Sequence, residues 1–153
     1  MQLVELFTIR ANLGETSMIG AAPSGVRAIA EVVGGTFSGV RLRGDVLTPG
    51  ADWVVIGDGY GELDVRLNLK TDDGVSIYMH YTGVMEQNEA SMAALGGGPE
   101  TQYGDSYFVS QPRFECGDER YAWLNHVVAV AEGRVLPGAV EYCVYECRPG
   151  GAA

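Results

Sequence analysis

The sequence predicts an all-β protein, a single closed antiparallel β-barrel of about eight to nine strands with little helix. Three observations predict it. Apolar and polar residues alternate with a period of two through Glu62–Thr82, the pattern of strands with two unlike faces. Turn signals rich in Gly, Pro and Asp recur at short intervals, and the chain holds 22 glycines, which favours tight turns and bent strands. No stretch carries the sustained 3.6-residue period of a long helix, and an antiparallel sheet of this many strands closes into a barrel or splits into a sandwich. A length of 153 residues suits one domain, 1–153.

The elements follow in order. Leu3 to Arg10 alternates as a strand, and "ANLGETSMIGAAPSG" (Ala11 to Gly25) reads as a loop of small residues. "VRAIAEVVGGTFSGVRLRGDVL" predicts two strands around a break at Gly34-Gly35. "TPGADW" reads as a turn into "VVI", and "GDGYG" as another turn. In "ELDVRLNLKTDDGVSIYMHYTGV", Leu63, Val65, Leu67 and Leu69 alternate with Glu62, Asp64, Arg66, Asn68 and Lys70. A three-residue loop at Asp72-Asp73-Gly74 sets Leu67 opposite Met79, Arg66 opposite His80, Asn68 opposite Tyr78 and Asp64 opposite Thr82. Both faces then stay uniform, with Gly74 in the left-handed position of a bulged turn. Glu89 to Leu95 predicts one or two helical turns, inside an insertion or lid loop over 86–104 that ends at Gly96-Gly97-Gly98-Pro99. "SYFVSQPRFE", "RYAWLNHVVAVAE" and "AVEYCVYECR" predict three last strands, before a frayed tail at 149–153.

Charge and composition narrow the partners. A net charge of −10 argues against nucleic acid and against an anionic membrane surface. The start "MQLVELFTIR" has no signal-peptide pattern, and no apolar run is long enough to span a bilayer, so a cytoplasmic protein is expected. On one strand, Cys143 and Cys147 would lie about 13 Å apart, too far for a disulfide. With two His and no CxxC or HxxxH spacing, no metal site is expected. "GDGYG" and "GGG" lack phosphate-loop or dinucleotide spacing, so no cofactor is expected.

Four stretches taken together resemble a known family: "GGTFSGVRLRGDVLTPGADW", the 62–84 hairpin, "YFVSQPRFECGDERYAWLNHVVAVAEG" and the closing "VYEC". They resemble, in order and over nearly the whole chain, the bacterial family of domain of unknown function 3237, the UPF0311 type. The resemblance implies a single-domain closed antiparallel barrel, of the size of lipocalin or allene-oxide-cyclase barrels. It implies little chemistry beyond the handling of small molecules. The insertion at Gln87–Gly104 departs from the family pattern.

Two polar constellations are candidate sites. If the polar face of the hairpin turns inward, Asp64, Arg66, Tyr78 and His80 put a carboxylate, a guanidinium, a phenol and an imidazole on one wall, a set that can hold a carbonyl or anionic substrate and move protons. If it turns outward, the same alternation is ordinary solvent exposure around a leucine-lined interior. On a strand at 120–132, Tyr121, Trp123 and Asn125 would share a face. There they would either stack and orient a ligand or serve as a core Trp with an Asn satisfying bulged backbone. Further binding candidates are Trp53, Arg41 and Arg43 on a shared face with Phe37 and Asp45, and Glu115 at a strand end. Cys116 reads as a buried structural thiol.

The function expected from these residues is a cofactor-independent isomerase, cyclase or lyase acting on a small carbonyl-containing or polyketide-like molecule. Asp64 or His80 would move the proton, Arg66 and Arg43 would hold the oxyanion, and Tyr78 would donate a hydrogen bond. Trp53 and Trp123 would stack the substrate and Asn125 would orient it. Two alternatives stand beside it. One is a non-catalytic barrel carrying a hydrophobic molecule, with Leu63, Val65, Leu67, Leu69, Ile77 and Met79 inside. The other is a structural or interaction protein with a filled barrel. A homo-oligomer, dimer or larger, is expected if an apolar outer face needs covering.

Overall fold

A computed structural model describes residues 1–151; the last two residues of the expected 149–153 tail lie outside the described residues. Its strands are β1 (Gln2–Ala22), β2 (Gly25–Ser38), β3 (Arg43–Asp52), β4 (Val55–Ile56), β5 (Tyr60–Thr71), β6 (Ser76–Glu86), β7 (Phe108–Glu115), β8 (Ala129–Leu136) and β9 (Ala139–Arg148). One short helix, α1 (Glu89–Leu95), occupies the expected helical turns, and a 3-10 turn spans Ala122–His126. Eight strands form an antiparallel ring in the order β1-β9-β8-β7-β6-β5-β3-β2, with β2 returning to β1; β4 pairs with β2 and β5. Its thinnest seam is β7–β8, with two register pairs, Val109–Glu132 and Ser110–Ala131.

The β5–β6 hairpin has the register its alternation predicts: Leu67 faces Met79, Arg66 faces His80, Asn68 faces Tyr78 and Asp64 faces Thr82. Gly74 takes φ +89° in the three-residue loop. The direction of the faces is now settled. Leu63, Val65, Leu67, Leu69, Ile77 and Met79 are buried inside the ring, and Asp64, Arg66, Tyr78 and His80 stand on its outer face. The expectation that this polar face lines the interior is therefore overturned. Burial of the leucine row removes more apolar surface from water than the polar row could, and it keeps the charges hydrated. With the leucines inside, the argument for an oligomer that covers them also lapses.

Several predicted breaks prove to be bulges. Ala11–Gly25 is not a loop: β1 continues to Ala22 against β2, with register shifts at Asn12/Leu13, Leu13/Thr16 and Met18/Gly20. Each shift resets the period of two, which is why no alternation is visible there. Gly34-Gly35 lies within β2; the chain reverses at 39–42 instead, where Gly39 N–H donates to Leu42 O. Phe37, Arg41, Arg43 and Asp45 consequently do not share a strand face. "TPGAD" is not a turn but part of β3, a bulge between Leu47 (opposite Asn68) and Ala51 (opposite Arg66).

The largest correction concerns Arg120–His126. These residues are not a strand but a turn and a 3-10 turn that close one end of the ring. Asp118 Oδ1 accepts from Arg120 N–H (2.9 Å), and Tyr121 N–H donates to Asp118 O. Asn125 uses both ends of its amide on Cys116, accepting from its N–H (2.8 Å) and donating to its carbonyl (2.9 Å). Local side-chain bonds of this kind replace a strand partner. Tyr121 and Leu124 are then buried against the barrel end, and Tyr121 Oη donates to Asp73 in the β5–β6 loop (2.8 Å).

Side chains fill the two halves of the ring unequally. At the end closed by Tyr121 and Leu124, Phe7 packs on Phe37 and Phe114 with ring centroids 5.7 and 5.8 Å away. At the other end the inner wall includes Ala28, Ala30, Gly61, Gly138 and Ala139, and the space between them stays open. One glycine is decisive for the β1–β2 pair. Gly35 has φ +136°, and a Cβ there would stand 1.9 Å from Arg10 O. Gly35→Ala is expected to lower unfolding free energy by about 2 kcal/mol or more. Gly59→Ala, at φ +80° but in open space, should cost only about 1 kcal/mol; urea denaturation of both variants checks the difference.

Candidate functional site in the open half of the barrel

The open half encloses a cavity of about 440 Å³. Most of its wall is apolar: Leu13 from β1, Val32 from β2, Leu63 and Val65 from β5, Met85 from β6 and Phe108 from β7. Ala94 and Leu95 of α1 border it on one side. The 97–107 segment is held to β8 and β9 nearby. Thr101 exchanges bonds with Val135, accepting at Oγ1 from Val135 N–H and donating its own N–H to Val135 O, both at 2.9 Å. Tyr103 Oη donates to Glu141 (3.0 Å), which also pairs with Arg134 (2.7 Å).

Five polar side chains line this apolar space; besides Thr16 and Gln87 they are Asp52, Tyr81 and Tyr142. Asp52 comes from the last residue of β3 and lies opposite Val65, which lies opposite Tyr81. Residues directly opposite in a ladder share a face, so the three stand in one row across the wall. Tyr142 reaches in from β9, its ring edge-on to Tyr81 and to Phe108, each with centroids 5.1 Å apart. Leu67 and Met79, one step further along, are buried and do not line the cavity. The polar triad therefore forms the floor of the cavity.

Electrostatics distinguish the three. Burial pushes the Asp52 carboxyl up to about 6; the Asp64 N–H that it accepts opposes this, the nearby Asp64 carboxylate adds to it, and Arg27 opposes it. A carboxyl poised near neutrality suits proton transfer. Burial also raises both phenols, Tyr81 and Tyr142, well above their ordinary value, with each acting as the other's hydrogen-bonding partner. Both remain neutral O–H donors at physiological pH. An apolar pocket holding a few convergent polar groups, one with a perturbed pKa, has the physical profile of a binding or catalytic site.

The residues singled out from the sequence lie elsewhere. Asp64, Arg66, Tyr78 and His80 gather on the outer face: His80 Nε2 meets Asp64 Oδ1 at 2.8 Å, Arg66 is 3.8 Å from the same oxygen, and Tyr78 stacks on His80. Trp53 joins them, with the Arg66 guanidinium 5.3 Å from its ring centre. Glu115 lines an outer groove with Tyr78, His80 and Asn125. Arg41 lies over the Trp123 ring at 3.4 Å, and Arg43 pairs with Asp72 at 2.9 Å. None of these side chains reaches the cavity. Asp52 was missed because Pro49-Gly50 reads as a turn. Counting in steps of two from the buried Val46 through the bulge does arrive at Asp52 on the inner face.

The raised Asp52 fixes a direction for pH dependence. Its folded pKa exceeds the unfolded value, so its ionisation costs stability as pH rises from about 4 through 6. Asp52→Asn keeps an oxygen acceptor for Asp64 N–H. It is expected to stabilise the fold by roughly 1–3 kcal/mol at pH 8 and to change little at pH 4, checked by chemical denaturation at both values.

With this geometry in hand, comparisons with known proteins place the chain. It is similar to the UPF0311 protein RPA1785 of Rhodopseudomonas palustris, 33% identical over 126 residues that cover 82% of each chain. Among solved structures it is similar to the Rhodopseudomonas palustris protein RPA1785 of unknown function (TM-score 0.86, 30% identity, covering 95% of this chain and 98% of that one). A beta-barrel like protein from Acinetobacter baumannii AYE superposes with TM-score 0.81 at 31% identity, covering 96% of each. A protein of Penicillium herquei described as an enzyme shares the fold at 20% identity and TM-score 0.70, covering 96% of this chain and 94% of that one. The resemblance read from the sequence holds over residues 1–147, and the chain belongs to the family described as protein of unknown function (DUF3237).

Proposed function

We propose that the open half of the barrel binds a small, mostly apolar organic molecule with a carbonyl group, and that Asp52 transfers a proton on it without a metal or nucleotide cofactor. The observation that carries this reading is the placement of a carboxyl with a pKa near 6 beside two neutral phenols on the floor of an apolar cavity. The Asp52 carboxylate takes a proton from the carbon next to the carbonyl. The C–H electron pair moves into a new C=C bond, and the carbonyl becomes an enolate whose oxygen accepts from Tyr81 or Tyr142. Where the substrate carries a double bond beyond that carbon, return of the proton at the far end of the resulting dienolate completes an isomerisation; loss of a β-leaving group completes an elimination. This keeps the isomerase, cyclase or lyase class expected from the sequence and moves its machinery from the outer Asp64–His80 wall to the inner one.

A second reading, a carrier of a hydrophobic molecule, is favoured by the predominance of Leu, Val, Met and Phe in the lining. One experiment separates the two. The protein is incubated in D₂O with a panel of small apolar ketones and β-dicarbonyl compounds, and deuterium uptake next to the carbonyl is followed by NMR. The enzyme reading expects catalysed uptake for a subset, falling roughly 10²–10⁴-fold in Asp52→Asn and less in Tyr142→Phe. Saturable binding without uptake assigns the barrel to transport.

A further inference from the structure

Asp52 and Asp64 are joined through the barrel wall. In the ladder between β3 and β5, Trp53 N–H donates to Asp64 O at 2.9 Å. The reciprocal donor, Asp64 N–H, is taken by the Asp52 side chain, Oδ1 at 3.0 Å. The catalytic carboxylate thus occupies an acceptor position in the sheet itself. Asp64 turns its own carboxylate to the opposite face, where His80 Nε2 holds it at 2.8 Å. A chain of two hydrogen bonds, within one residue of β5, connects the inner acid to the outer imidazole. We infer that Asp64 and His80, on the outside of the barrel, are positioning residues that tune Asp52 on the inside.

The inference rests on the reading of Asp52 as the base. The groups facing Asp52 are Arg27 from β2, Asp64 from β5, Tyr81 from β6 and Tyr142 from β9. Arg27 Nη1 donates to Trp53 O at 2.6 Å and fixes the same segment. His80 faces Asp64 and Arg66 from β5, Arg113 from β7, and Tyr78 on its own strand. The His80 ring nitrogen at 2.8 Å and the Arg66 guanidinium at 3.8 Å both meet Asp64 Oδ1 and offset its charge, and the negative field that Asp64 exerts on Asp52 falls with them. Any anion or acidic partner that engages the outer Arg66–His80–Arg113 row acts on the cavity by the same path.

The signs of two substitutions test this. Side-chain carboxyl signals of ¹³C-labelled protein are followed by NMR from pH 3 to 9. In the unsubstituted protein Asp52 is expected to titrate at about 6. Asp64→Asn keeps the backbone N–H and removes the charge, and should lower the Asp52 midpoint by roughly 0.2–0.7 unit, the range in which part-exposed charges act. His80→Gln should raise it, because the Asp64 carboxylate loses the ring nitrogen that holds it at 2.8 Å. Opposite shifts establish the tuning. Absence of both shifts, or shifts in one direction as general loosening would give, overturns it while leaving Asp52 as the base. An Asp52 midpoint near 4 in the unsubstituted protein overturns the base assignment instead, and the same pair of shifts still decides whether the wall transmits charge.

Discussion

Packing of Phe7 against Phe37 (tilted) and Phe114 (edge-on) consumes the interior of one half of the ring, and the remainder of the molecule is arranged around that fact. An eight-stranded ring is just wide enough to be filled by side chains or to hold one small ligand. Here it does each in a different half. The aromatic cluster, with Leu69, Ile77 and Leu124 fully buried beside it, supplies the core that folds the barrel. Small residues such as Ala28, Ala30 and Ala139 can then line the other half without leaving the fold short of buried surface. The 3-10 turn and Tyr121 seal the filled end, so access to the open half lies at the end bordered by α1 and the β1–β2 hairpin.

The polar floor depends on the same division. A carboxylate facing an apolar interior is unfavourable unless it accepts hydrogen bonds. Asp52 meets that requirement by taking the N–H of Asp64, which lies just past the last β3–β5 pair, Asp52–Val65. The bulge between Leu47 and Ala51 is more than a kink in β3. It delivers an acidic side chain to the inside of a sheet while keeping the ladder's donors satisfied, and it does so at the boundary between filled and hollow interior.

Much of the fold is legible in the sequence because the β5–β6 hairpin is regular. Its alternation is unbroken from Glu62 to Thr82, so face, register and turn follow from one rule. The bulged strands are not legible in that way. In β1 three register shifts against β2 and one against β9 scramble the period, and in β3 a Pro-Gly pair imitates a turn. Trp123 and Asn125 mislead for a different reason: Asn125 makes its bonds to Cys116, and that pairing is invisible until the chain has folded back. The candidate site suffers most. Charged side chains at regular spacing draw attention to Asp64, Arg66 and His80, whereas Asp52 stands on an irregular strand and Tyr81 and Tyr142 resemble ordinary core aromatics. Tyr81 does fall on the leucine face by simple alternation, and its hydroxyl is a polar feature of that face beside the cavity.

On the proposed reading, the acid on the cavity floor would also select what the cavity holds. Before anything binds, Asp52 is solvated by whatever water the cavity admits, and an occupant displaces that water. A pure hydrocarbon would leave the carboxylate facing carbon, at a cost that offsets much of the favourable contact with Leu63, Val65 and Phe108. A molecule offering an acidic hydrogen to Asp52 and an oxygen to the phenols replaces the lost water bond for bond. On that reading, apolar contact alone is offset by the carboxylate it strands, and a carbonyl oxygen placed at the phenols beside an acidic C–H at Asp52 is what favours one guest over another.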